Sequence, residues 1–144
     1  MRRCENGFSV MAIPIHGATC QRRVPDMRRM SKIGYDMEEI LIRARPILDT
    51  RGSETEIILV AQVPIHPDTD PMFDQESWKK SGELALIYRD LYHSHGCLYL
   101  DGGSATRDVG EDGIHLSFKG HRALGEAIAV IIKEHEQCLL TKLV

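Results

Sequence analysis

The run Glu56-Ile57-Ile58-Leu59-Val60-Ala61-Gln62-Val63 is apolar at odd and even positions alike. Successive side chains of a strand point to opposite faces, so a strand of this composition has to be covered on both sides. That pattern belongs to an interior strand of a parallel sheet, whose partners arrive through long crossovers rather than tight hairpins. The flanking residues supply such crossovers. Ser31 is placed to cap a helix reaching about residue 44, with Ile33, Met37, Ile40 and Leu41 on one face and Pro46 just past its end. On the other side, Pro64-Ile65-His66-Pro67-Asp68-Thr69-Asp70-Pro71 predicts a surface loop at the C-terminal end of the strand, where open α/β sheets carry function. A helix over 75–95 follows, carrying Trp78, Leu84, Ile87, Tyr88 and Leu91, with Gly96 placed to end it, and then a strand over 97–101. An earlier apolar run, 8–15, is expected to form a short buried strand if Pro14 lies at its end. Helix, strand, helix, strand, loop and helix in that order predict a parallel sheet with right-handed crossovers and helices on both faces, within one domain spanning 1–144.

Composition narrows the class of protein. With 42% hydrophobic and 27% charged residues the chain is an ordinary globular sequence, and its 144 residues suffice to bury a core. A formal net charge of -3, with eighteen scattered Lys and Arg, argues against nucleic acid as a partner, because neutralising phosphates needs a basic face. Arg22, Arg23, Arg28 and Arg29 do cluster, and they read as a solvated turn and helix face. The apolar runs are too short to span a bilayer and the first residues lack a signal peptide's apolar core, so a cytoplasmic protein without a membrane partner is expected. Cys4, Cys20, Cys97 and Cys138 form no Cys-x-x-Cys pair and are expected to be reduced, mostly buried thiols rather than nucleophiles.

The chemistry concentrates near the C-terminus, in Asp112-Gly113-Ile114-His115-Leu116-Ser117. A carboxylate three residues ahead of an imidazole in a short loop can accept the Nδ1 proton and leave the other ring nitrogen as a base. Ser117 is a candidate N-cap for a final helix in which Leu124, Ala127, Ile128, Ile131 and Ile132 recur at helical spacing, so the loop is expected to be anchored by a buried helix. The alternative is a loop Asp that caps the helix beside a surface His.

This block, with Gly120-His121 and the Leu124-Gly125-Glu126-Ala127 helix behind it, resembles the last conserved block of the SGNH, or GDSL-type, ester hydrolases. The arylesterase-like branch, acting on small esters or their acyl-transfer equivalents, is the nearest likeness. The resemblance implies a three-layer flavodoxin-like fold, N-terminally incomplete, and a Ser-His-Asp site without a cofactor, in which His115 is general base and Asp112 its orienting acid. A small ester or acyl substrate is the implied ligand. His121, on the first turn of the final helix, is expected to be structural.

Two of the family's blocks are absent. No Gly-Asp-Ser occurs in the sequence, and the only early serine, Ser9, stands in Gly7-Phe8-Ser9-Val10 without the Asp. Where the family places Gly-x-Asn-Asp, the sequence reads His16-Gly17-Ala18-Thr19-Cys20-Gln21, so Gly17 is the one candidate remnant of the oxyanion block. Losing one oxyanion donor typically costs about 100- to 1,000-fold in turnover. The chain is therefore expected to be a truncated member of the family, turning over short aryl esters no better than background. The alternative is an inactive remnant that binds a ligand or self-associates, and an unpaired apolar edge at 8–15 makes a homo-oligomer plausible.

Other constellations favour structural readings. His93 and His95 are two residues apart at a helix end, which points them in different directions and suits the exposed carbonyls there, so no metal site is expected. Asp101-Gly102-Gly103-Ser104 lacks the Lys of a phosphate loop and reads as a turn.

Overall fold

The computed structural model describes residues 11–12, 27–50, 56–66 and 74–142. Among them lie three parallel strands, β1 (Met11–Ala12), β2 (Ile57–Ala61) and β3 (Leu98–Asp101), and four helices, α1 (Met27–Asp49), α2 (Gln75–His95), α3 (Gly102–Ala105) and α4 (Phe118–Lys142). β2 lies between its two partners, with Met11 opposite Ile57 and with Ile58 to Ala61 opposite Leu98 to Asp101. This is an α/β fold around a small parallel sheet, with the doubly apolar run at its centre. Only Met11 and Ala12 of the run 8–15 fall within the described residues, and both pair with β2.

Alternation along β2 organises the core. Ile57, Leu59 and Ala61 point to one side, where they join Met37 and Leu41 of α1, Leu84 and Tyr88 of α2, and Cys97 in a single buried cluster. Ile58 points the other way and is equally buried. α2 is bounded at both ends by local hydrogen bonds. The Asp74 side chain accepts from the Ser77 N–H at 2.9 Å, and Gly96, at φ 60°, takes the left-handed conformation that ends the helix. Arg45 of α1 then donates to the carbonyls of His95 and Gly96 at 3.3 Å, placing a cation at the negative end of α2.

Several expectations need correction. α1 begins at Met27, not at Ser31, since no helix breaker stands among residues 27–30. It also runs through Pro46 to Asp49. Continuing past the proline brings Leu48 against the core cluster, and that burial outweighs one missing N–H in the last turns. Ile40 and Trp78 are partly exposed, at 37% and 42%, instead of facing the core. The apolar stripe of α4 is half-buried rather than buried, because among the described elements α4 packs on β3 and α3 alone. Asp101 to Ser104 forms more than a turn: Asp101 caps α3 through the Gly103 N–H and the Ser104 hydroxyl. Of the cysteines, Cys97 is buried, with its thiol pKa pushed up by desolvation, whereas Cys138 is exposed. Cys4, Cys20, Arg22 and Arg23 lie outside the described residues.

The two-sided core predicts an asymmetric response to truncation. Leu59→Ala, at a position 1% exposed, should lower the unfolding free energy by about 2–5 kcal/mol, whereas Leu86→Ala, 52% exposed on α2, should stay within about 0.5 kcal/mol. Urea unfolding followed by circular dichroism measures both.

Candidate active site

A chain leaving β3 passes through α3 and then has to turn back before α4 can start. The turn is closed at its base by two contacts between Asp108 and Ser117: the Ser117 N–H donates to the Asp108 carbonyl at 3.1 Å, and the Ser117 hydroxyl donates to the Asp108 carboxylate. Val109 and Leu116 form an antiparallel bridge just inside, and the Gly110 N–H donates to the His115 carbonyl at 2.7 Å. Ser117 Oγ also accepts from the Gly120 N–H at 3.1 Å, which makes it the N-cap expected from the sequence. Gly120 itself packs against the Asp108 carbonyl, where any Cβ would collide. The loop and the helix start are thus one closed unit.

Inside this unit Asp112 and His115 meet. Asp112 Oδ1 accepts the backbone N–H groups of Ile114 and His115, both at 3.0 Å, and Oδ2 lies 2.6 Å from His115 Nδ1. The hydrogen bond from the His115 ring, followed by those from the Ile114 and His115 amides, pushes the Asp112 pKa down to about 2. A carboxylate ionised at neutral pH can only accept, so Nδ1 must carry the proton and Nε2 is the basic atom of the ring. Both side chains are substantially exposed, 64% for His115 and 46% for Asp112. The arrangement can take a proton from a hydroxyl or a water and hold the resulting imidazolium against a fixed negative charge.

The loop lies by the C-terminal end of the sheet. Gly113, at φ 65°, turns its carbonyl toward the segment leaving β2, where the His66 N–H donates to it at 2.7 Å. Sequence reasoning singled out Asp112, His115 and Ser117 but not Asp108 or the His66 backbone. A glycine in the first turn of a helix, at Gly120, is the one local sign of the Asp108 contact, since such a residue weakens the helix unless close packing requires it. His121 is exposed on the first turn of α4. His95 Nε2 stands 3.2 Å from Glu38, and the His93 ring lies against Tyr92. Among the described residues no group of three or more His, Cys, Asp or Glu side chains could hold a metal ion. Ser9 and Gly17, with the rest of the block 16–21, lie outside the described residues.

Comparison with solved structures shows where the fold recurs. A carbohydrate acetylesterase from Sinorhizobium meliloti superposes with a TM-score of 0.68 at 22% identity, over 92% of this chain and 62% of that one. An aryl esterase of M. smegmatis gives 0.67 at 19% identity, over 92% and 62%. A carbohydrate acetylesterase family member from Sinorhizobium meliloti gives 0.55 at 25% identity, over 70% and 52%. The chain shares its fold with esterases. It spans less than two thirds of the length of these neighbours. No protein-family model and no curated protein matches the sequence. No helix among the described residues is long and apolar enough to cross a membrane.

The loop geometry makes two predictions. In Asp112→Asn the Oδ1 position keeps the two amides, so the side-chain NH2 faces the ring and can only donate. The His115 proton should therefore move from Nδ1 to Nε2, inverting the neutral tautomer ratio read from 15N shifts in alkaline solution. The depressed Asp112 pKa also fixes a sign. Its contribution to stability is fully present above the ordinary carboxylate value of 3.8 and is lost as the pH falls through about 2. The difference in urea midpoint between wild type and Asp112→Asn should accordingly shrink as the pH falls from 3.8 through about 2.

Proposed function

We propose that the chain carries the acid–base half of an SGNH-type ester-hydrolase site, with His115 as general base and Asp112 as the acid that orients it, the substrate class of a complete site of this kind being a small carboxylic ester. The observation that carries this reading is the 2.6 Å contact between Asp112 Oδ2 and His115 Nδ1 in a loop at the C-terminal end of a parallel sheet. The esterase neighbours support the reaction class, and acetyl or aryl esters are the substrates their names suggest. In this proposal the described strands are part of a three-layer flavodoxin-like sheet.

In such a site the base removes the proton of a serine hydroxyl as it attacks the ester carbonyl, and donors aimed at the developing oxyanion lower the barrier. The acid–base pair is placed to perform the first task. The sequence contains no Gly-Asp-Ser and no Asn in the block around Gly17, which leaves the attacking group and the oxyanion donors unassigned. That observation favours a second reading, in which the same face binds an acyl ligand or another chain without turning it over. A base acting on water alone provides about 100- to 10,000-fold at best.

The expected outcome with the purified chain is p-nitrophenyl acetate turnover at the background rate for wild type, His115→Ala and Ser9→Ala alike, with no serine labelled by a fluorophosphonate. Stoichiometric labelling that disappears in His115→Ala would instead reveal a complete triad and overturn the half-site. Mass spectrometry of the labelled chain reads the result directly.

A further inference from the structure

The segment 62–66 leaves β2 without joining any ladder, yet its last two amide groups are both bound, and to different neighbours. The Ile65 N–H donates to the Ser81 hydroxyl on α2 at 3.2 Å, and the His66 N–H donates to the Gly113 carbonyl of the dyad loop at 2.7 Å. The two amides flank a single residue, Ile65, so the orientation of the first peptide constrains that of the second. Ser81 is well suited to act as such a reference. It is 1% exposed, sits on a helix that is part of the core, and its hydroxyl proton is committed to the Trp78 carbonyl at 2.7 Å, which turns an oxygen lone pair toward Ile65.

We propose that Ser81 is a positioning residue for the Asp112–His115 pair, acting through the 62–66 segment. The path is short and made of hydrogen bonds alone: Ser81 fixes Ile65, the adjoining amide of His66 fixes the Gly113 carbonyl, and Gly113 is the residue between Asp112 and the Ile114 amide that Asp112 accepts. Gly113 adopts a positive φ, and its peptides are held from inside the loop by the Gly113 N–H bond to the Gly110 carbonyl at 3.0 Å and from outside by the bond at its own carbonyl, which ties the loop to the exit segment. With Ser81 unable to accept, the exit segment turns more freely, the Gly113 peptide follows, and Asp112 Oδ2 spends less time at Nδ1. This inference rests on the reading of Asp112 and His115 as an acid–base pair and adds a residue on α2 to it.

The test is carried out on the full chain with 15N-labelled histidine. In Ser81→Ala, hydrogen exchange of the His66 amide should rise about tenfold, as expected when a buried bond is lost, and the neutral His115 ring should shift measurably from the Nδ1–H toward the Nε2–H tautomer. Leu84→Val, on the same helix and 2% exposed, loosens the core cluster, to which neither Val63 nor Ile65 belongs, and it should leave the tautomer ratio at the wild-type value. Ser81→Cys, which keeps the size but offers a poor acceptor, makes the same comparison should Ser81→Ala not fold. An unchanged tautomer ratio in the serine variants, with or without faster exchange at His66, would overturn the proposal, as would an equal shift in Leu84→Val. Asp112→Asn separates the two levels: a ratio that does not invert there removes the acid–base pair itself, whatever Ser81 does.

Discussion

One carboxylate accepting three N–H groups holds the functional end of this molecule together. Asp112 gathers two backbone amides on one oxygen and an imidazole on the other, so the same charge shapes the loop and selects the ring tautomer. An exposed ion pair contributes little by itself, because water and salt screen it. Here the backbone does the confining. The bridge between Val109 and Leu116 and the contacts of Asp108 with Ser117 close the loop before the side chains meet, leaving the pair little conformational freedom to lose.

The sheet serves that loop from a distance. β2 is buried on both faces and cannot shift without exposing either the cluster around Leu59 or the opposite side at Ile58. Its continuation through 62–66 delivers an ordered backbone to Gly113, and α2, held at one end by Asp74 and at the other by Gly96 and Arg45, lies alongside. Rigid scaffold, short exit segment and polar loop form a graded series from apolar burial to hydrogen-bonded surface. This gradient suits the proposed acid–base role, in which water and substrate would be admitted without loss of geometry.

Much of this was legible in the chain because the signals were local. The two-sided apolar run marked β2, Gly96 marked the end of α2, and the three-residue spacing of Asp112 and His115 with Ser117 behind them marked the loop and its cap. What stayed hidden depended on partners distant in sequence. Ser81 looks like any polar residue on a helix until Ile65 arrives beside it, and Pro46 reads as a terminator unless the burial of Leu48 is known. Ile40 and Trp78 fit an apolar helical face by spacing, yet spacing says nothing about how wide the covering neighbour is. The stripe of α4 illustrates the same limit, being regular along its length but only half covered.

The closure of the loop also has a kinetic side. Asp108 and Ser117 are nine residues apart, and a segment of about that length brings its ends together in roughly 10–100 ns. The turn that carries Asp112 and His115 can therefore sample its native shape during folding before distant segments have found one another. The bond from His66 to Gly113 has to wait for β2 and β3 to pair, a non-local event and an intrinsically slower one. The acid–base loop can thus close early as a local unit, and its later docking on the sheet, through the bond from His66 to Gly113, completes the geometry of the pair.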